Sequence, residues 1–242
     1  MELNKIYCMD CLEGMKQMED NSVDLILTDP PYEVDYNKKS KELAKLGKPR
    51  EKQIERDEEF KDTLPDYTIL CKEFYRVLKD NSHAYIFCGD KQICKWIKYM
   101  IEQGFKHPQV LVWHKDKTTY DMTMGHKFPL NNEFILFFQK GWKKLNGYKI
   151  ERHRFRSCLN FNSNGKTQYH SCAKPEDLIM FLIKLSSNEN DLILDPFMGS
   201  GTTAVACKQL NRNFIGFELS QKYCDIANER LNQNNLKEWF KT

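Results

Sequence analysis

Short apolar runs alternate with stretches of helical spacing at both ends of this 242-residue sequence. Val23–Thr28 (VDLILT) is a continuous apolar run that stops at Asp29-Pro30-Pro31, as a parallel strand buried on both faces does. Residues 66–79 carry apolar side chains at helical spacing, 84–88 read as the next strand and 91–103 as the next helix. Residues 110–113 and 134–138 read as two strands joined by a polar loop. The alternation resumes with a helix over 176–186, a strand over 192–194, a helix over 202–210, a strand over 214–217 and a helix over 221–232. Strands alternating with helices predict an α/β fold around a mainly parallel sheet, without internal repeats or low-complexity tracts.

Two stretches break the rhythm. Residues 36–61 hold charges of both signs and few apolar residues, and read as a long loop or a mobile lid. Residues 140–170 lack periodicity and are rich in Lys, Arg, Asn and Ser. Charge matters here: 37 Lys and Arg against 34 Asp and Glu leave a net charge of only +3, so a polyanion would have to meet a local patch. Residues 140–156 contain seven Lys or Arg and one Glu, interleaved with Trp142, Tyr148 and Phe155. That composition suits contact with a phosphate backbone, and a solvated charged loop is the plain alternative. No stretch has the length and apolarity of a membrane span, and the N-terminus has no apolar leader segment. Nine cysteines without a secretion signal suit a reduced, cytoplasmic setting. Cys8 and Cys11 form a CxxC, but no second pair completes a metal set, so no metal site is expected.

Near the C-terminus, LILDPFMGSGTTAVACKQL puts a glycine-rich turn between a strand and a helix. Gly199 and Gly201 allow a tight turn and close approach of backbone to a ligand at the N-terminus of the following helix. Glu218 ends the next apolar strand, nineteen residues beyond Gly199, where a carboxylate can accept hydrogen bonds from both ribose hydroxyls. The turn lacks GxGxxG spacing, and no Lys follows its second glycine. It therefore reads as a site for a nucleoside with a small charged tail, not for a pyrophosphate.

Asp29-Pro30-Pro31-Tyr32 follows the 23–28 strand. Two prolines fix φ and remove two N–H donors, leaving a stiff corner that offers carbonyl acceptors beside the Asp29 carboxylate. A ring-bonded amino group donates two hydrogens, and these acceptors can take both while its lone pair points out of the ring plane. Tyr32 offers an aromatic face on which a base could stack.

The DPPY and LDPFMGSGTT motifs together resemble those of the DNA amino-methyltransferases of restriction–modification systems and phages. Their order here, DPPY first and the glycine turn last, is similar to the permuted beta class. The resemblance covers nearly the whole chain: NKIYCMDCLEGMKQMEDNSVDLILTDPPY, NNEFILFFQKG, YHSCAKPEDL and NFIGFEL each look like segments of that group. It implies a single catalytic domain over residues 1–242, with a Rossmann-like seven-stranded sheet, one strand antiparallel and helices on both faces. The implied donor is S-adenosylmethionine and the implied partner is double-stranded DNA, with a cognate restriction endonuclease in some settings and either a monomer or a homodimer.

By that resemblance, Asp29 and the Pro30 carbonyl bind the target amino group, Pro31 stiffens the turn, and Tyr32 stacks on a flipped base. Phe197, Gly199, Ser200, Gly201 and Thr202 surround the methionine part of the cofactor, within a turn that also includes Asp195, Pro196 and Thr203; Asp29 borders the same pocket. Glu218 holds the ribose, Asp10 and Cys11 contact the adenine, and His170 and Lys174 approach the methionine carboxylate. Lys143, Lys144, Lys149, Arg152, Arg154 and Arg156 lie where the family carries its target-recognition region, here 140–170. Two departures are visible: Met9 stands where the family often has Gly, and His170 to Pro175 read HSCAKP in place of HPTQKP. Transfer to nitrogen is a direct in-line displacement on a flipped-out base, and no Cys sits in the catalytic turn. An initial Asp goes mostly with adenine N6 and an initial Ser with cytosine N4, so adenine is the expected target and cytosine the alternative. A methyltransferase-fold module that binds nucleic acid without activity is the third reading.

Overall fold

The computed structural model describes residues 1–32, 64–115, 131–147, 156–162 and 174–239. The expected lid at 36–61, with Lys149, Arg152, Arg154 and His170, lies outside them. The elements, in chain order, are β1 (Lys5–Cys8), α1 (Cys11–Met15), β2 (Val23–Thr28), α2 (Tyr67–Val77), β3 (Leu78–Cys88), α3 (Ile93–Glu102), β4 (Lys106–His114), β5 (Asn132–Lys140), β6 (Cys158–Asn160), α4 (Glu176–Ser186), β7 (Leu192–Asp195), α5 (Thr202–Gln209), β8 (Asn213–Glu218) and α6 (Gln221–Trp239). A 3-10 turn at Asp90–Gln92 leads into α3.

One sheet runs in the order β1-β8-β7-β2-β3-β5-β4-β6. All its pairings are parallel except those of β5, which runs against both β3 and β4. The expectation of a mainly parallel sheet with one reversed strand holds. The count does not: eight strands are described, not seven. The extra strand is β6, three residues from the 140–170 stretch expected as loop, paired with Val112 to His114 of β4. Three residues are too short to show a period-2 pattern. The helix expected over 66–79 ends at Val77, and β3 begins at once with Leu78. In its first half, LKDNSH, Asp80 and Asn81 are exposed, while Ser82 and His83 are buried.

Alternate residues of the central strands point to opposite faces. Leu25, Leu27, Tyr85, Phe87 and Ile193 pack under α4, α5 and α6. Ile26, Ala84, Ile86, Leu194 and Phe217 pack under α1, α2 and α3. Both faces are covered, which explains the unbroken apolar runs of β2 and β7. Among the described residues, no helix is long and apolar enough to cross a membrane.

This topology gathers four chain segments at one edge. The parallel strands β2, β7 and β8 end there at Thr28, with Asp29 next to it, Asp195 and Glu218. Because β5 runs the other way, its beginning, Glu133, arrives at the same edge, one step beyond the Phe134–Cys88 pair.

Candidate active site

Asp195 joins the two turns. Its Oδ1 accepts the Thr28 hydroxyl at 2.8 Å and the Phe197 N–H at 3.1 Å, and its Oδ2 accepts the Thr203 hydroxyl at 2.6 Å. Burial pushes its carboxyl up to about 6, against the pull of the Thr203 and Thr28 hydroxyls. Asp195 and Thr203, expected at the cofactor, fasten the end of β2 to the glycine turn.

In that turn, Gly199 has φ +54° and Gly201 φ +82°. A Cβ on Gly201 would come within 2.7 Å of the Ala227 Cβ, so this glycine lets the turn pack on α6. A Cβ on Gly199 would meet nothing within 4 Å, so this glycine faces open space. Glu218 stands over that space, with Oε2 accepting the Gly199 N–H and Oε1 the Ser220 N–H, each at 2.8 Å. Each oxygen keeps a further lone pair for an incoming hydroxyl. Burial raises the Glu218 carboxyl, and the backbone N–H groups of Ser220 and Gly199 oppose that rise. Arg230 of α6 clamps the turn from behind through the Ser200 carbonyl and the Ser200 and Thr202 hydroxyls, and pairs with Glu176 at 2.9 Å. Pro196 is buried, and the half-buried Phe197 packs against the core under α1 to α3. Asp10 caps α1, its Oδ1 accepting from Leu12 N and Glu13 N. Cys11 is buried, and burial pushes its thiol up to about 12. Both stand beside Glu218 through the Cys8–Glu218 pairing of β1 and β8.

At the DPPY turn, Pro30 is buried and Gln92 donates to the Pro31 carbonyl at 3.0 Å. The Tyr32 ring packs beside Gly89 at the end of β3. The Asp29 Oδ2 meets Lys174 Nζ at 2.6 Å, and Lys174 also meets Glu133 Oε2 at 3.1 Å and the Tyr32 hydroxyl at 3.4 Å. The other Glu133 oxygen pairs with Lys115. Burial raises the Asp29 carboxyl; Glu133 adds to the rise and Lys174 opposes it. For Lys174, burial pulls the ammonium down, but Asp29 and Glu133 outweigh it and raise it. Burial would raise Glu133, yet Lys174 and Lys115 hold it below its ordinary value. Burial lifts the Tyr32 phenol well above its usual range, with Asp29 and Glu133 adding to it.

Glu133, Lys115, Gln92 and Arg230 were not legible as site residues. Each is remote in sequence from the two motif turns, and Glu133, though within NNEFILFFQKG, is one carboxylate among many that nothing local singles out.

The expected DNA-binding set divides. Lys143 and Lys144 follow β5 at its far end, where Lys140 pairs with Ser82. From that pair to the Phe134–Cys88 pair is about 20 Å along the strand. Lys143 donates to the Ser186 carbonyl at 3.1 Å, and its own carbonyl meets His83 Nε2 at 3.1 Å. Asn146 fastens the same segment to the end of α4 through the Lys184 and Ser187 carbonyls. This part of the 140–170 stretch is therefore not a loop at the site edge, and Lys143 and Lys144 do not meet the DPPY turn. The exposed Arg156 precedes β6, which runs toward the site edge beside β4. Among the described residues, no cluster of three His, Cys, Asp or Glu could hold a metal ion.

Residues 23–229 match a family model for N6/N4 DNA methylases. The chain is 32% identical to the Type II methyltransferase M.HpaI of Haemophilus parainfluenzae, covering 94% of this chain and 74% of that enzyme. It is also 32% identical to the Type II methyltransferase M1.MboII of Moraxella bovis, covering 96% and 98%. The crystal structure of the M1.HpyAVI–SAM complex superposes with a TM-score of 0.66 at 27% identity, over 93% of this chain and 98% of that one. Two motif turns held side by side by Asp195, a carboxylate over an open glycine and a match along most of the chain agree: the protein belongs to the N6/N4 family of S-adenosylmethionine-dependent DNA methylases.

Proposed function

We propose that this enzyme methylates N6 of adenine in double-stranded DNA, at a specific sequence and on a base flipped out of the helix. The observation that carries the reading is the Asp29 carboxylate, set in a two-proline corner with Tyr32 and fastened through Thr28 and Asp195 to the glycine turn. An aspartate in the first position of that motif favours adenine over cytosine.

The chain's residues suit the cofactor. Glu218 has lone pairs for ribose hydroxyls, and Gly199 leaves room for a ligand against the backbone. Asp10 and Cys11 border the adenine side, and Phe197, Ser200 and Thr202 border the methionine side. When bound, S-adenosylmethionine supplies an electrophilic methyl group on its sulfonium. Asp29 accepts one N–H of the target amine and the Pro30 carbonyl accepts the other. That holds the nitrogen lone pair out of the ring plane, and the carboxylate stabilises positive charge as it develops on nitrogen. Tyr32 stacks on the flipped base and offsets part of the stacking lost from the duplex.

Arg156 and its neighbours Lys149, Arg152 and Arg154 are the proposed phosphate and base contacts, with 140–170 contributing target recognition. The Type II names of the relatives support a cognate restriction endonuclease as a partner. The test is incubation of the purified enzyme with methyl-labelled cofactor and unmodified duplex DNA, followed by digestion and mass identification of nucleosides. N6-methyladenine is expected. N4-methylcytosine would replace the adenine reading, and no labelled nucleoside would refute both.

A further inference from the structure

An ammonium has three N–H bonds, and Lys174 faces three oxygens: Asp29 Oδ2 at 2.6 Å, Glu133 Oε2 at 3.1 Å and the Tyr32 hydroxyl at 3.4 Å. It also lies over the Tyr32 and Phe87 rings, at 5.3 and 5.2 Å from their centroids. Its donors are taken up on the target side of the site, which leaves none for the methionine carboxylate expected from sequence. We infer that Lys174 is the counter-ion of the catalytic aspartate and that Glu133 fixes it there, both acting as positioning residues. The inference rests on the proposed role of Asp29 as acceptor of the target amine.

Three observations make the pairing matter. First, the Asp29 Oδ1 is buried without a hydrogen-bond partner among the described residues, so the carboxylate depends on its other oxygen for a partner. Second, the groups facing Asp29 are otherwise neutral or like-charged: Tyr32 on its own turn, Cys88 at the end of β3, Asp195 at the end of β7 and Glu133 at the start of β5. Among the described residues, Lys174 is the cation in contact with it. Third, a cation alone would cancel the negative field that the target amine needs. Glu133 restores that field, and Lys115 on its other oxygen completes two positive and two negative charges. A neutral Asp29 would lose acceptor strength, so the cluster couples the ionisation of Asp29 to Lys174 and Glu133, which lie 145 and 104 positions further along the chain.

The test compares wild type with K174M, K174R and E133Q. The ionisation of Asp29 is read by carbon-13 NMR of the aspartate carboxyls, its resonance assigned by loss in D29N. Single-turnover methylation across pH and calorimetric cofactor affinity are measured in parallel. In K174M the Asp29 midpoint should rise by roughly one pH unit or more, the range for removing an adjacent opposite charge. The acid limb of the rate profile should move up with it, a loss of about tenfold at a fixed pH on that limb, with recovery at higher pH. Cofactor affinity should stay within about twofold of wild type, well under the tenfold that 1.4 kcal/mol represents. K174R, which keeps the charge, should restore the midpoint. E133Q should move the midpoint down, because a like charge is gone while Lys174 remains, and should lower the maximal rate. An unchanged midpoint in K174M, or a tenfold or larger loss of cofactor affinity there, would overturn the inference. Should K174M not fold, E133Q decides: a midpoint unchanged or raised would overturn it. If wild type methylates no DNA, the proposed function fails, while the NMR midpoints still judge the ion pair.

Discussion

Strand β3 carries polar chemistry at two places on one face, and the two solve burial in opposite ways. Midway along it, His83 and Tyr85 both meet the Ser186 hydroxyl at 2.8 Å, and His83 also meets the Lys143 carbonyl. Burial pulls His83 down to about 4 and lifts the Tyr85 phenol, so both are neutral at ordinary pH. Near its end, Phe87 underlies Lys174, and four charges from four segments are packed together. In the first cluster the His83 and Tyr85 rings are neutral, and both His83 ring nitrogens and the Tyr85 hydroxyl have partners. The second is charged and leaves one oxygen of Asp29 unpartnered among the described residues. Structure asks only that buried polar groups be satisfied; a charged, incompletely satisfied cluster at the ends of parallel strands is where chemistry is expected.

The contrast predicts where variants act. D29A should lower methyl transfer on the order of 10³-fold, the scale for a lost charge-stabilising group, and leave the thermal midpoint nearly unchanged. Stopped turnover together with a collapsed fold would blur the two places. At the other place, His83 should act on stability alone. Its ring is neutral when folded and protonates below about 4, against the ordinary value of 6.5 when unfolded. Its contribution is therefore complete above pH 6.5 and is lost as pH falls from there toward 4, by up to about 3 kcal/mol. H83Q should flatten that stretch of the stability curve in denaturant titrations while leaving turnover per folded molecule intact.

E218A should weaken cofactor binding by about 1.5–3 kcal/mol in calorimetry and change DNA affinity little. The smallest effect should come from K143A/K144A. If these lysines belong to the structural end, the slope of log affinity against log salt should change by less than the ~0.9 of one phosphate contact. A larger change would bring the DNA to the wrong end of the sheet and break the comparison.

What could be read beforehand follows the same division. The DPPY and glycine turns were legible because each packs its chemistry into consecutive residues: a strand, a rigid or glycine corner, then a helix or ligand. Glu218 was legible because strand ends in this fold recur at known spacing. Glu133 was not, because only the antiparallel course of β5 brings its first residues to the carboxyl ends of its neighbours. Lys174 was picked out, but its partner was not, since an ammonium's choice among nearby oxygens is a matter of tertiary geometry. For Lys143 and Lys144 the sequence left the surroundings open, because a run of basic residues looks the same whether it faces phosphate or, as Lys143 does, a carbonyl at a helix end. β6 was missed because three residues carry too little pattern.

The most direct test of the account is a crystal structure of the enzyme with S-adenosylhomocysteine, the cofactor lacking its methyl group, and a duplex carrying the recognition sequence. The account predicts a flipped adenine stacked on Tyr32, its N6 within about 2.6–3.2 Å of Asp29 and of the Pro30 carbonyl, and the ribose of the cofactor on Glu218. A target base held away from Asp29, or DNA lying along the Lys143–Ser186 end of the sheet, would contradict it.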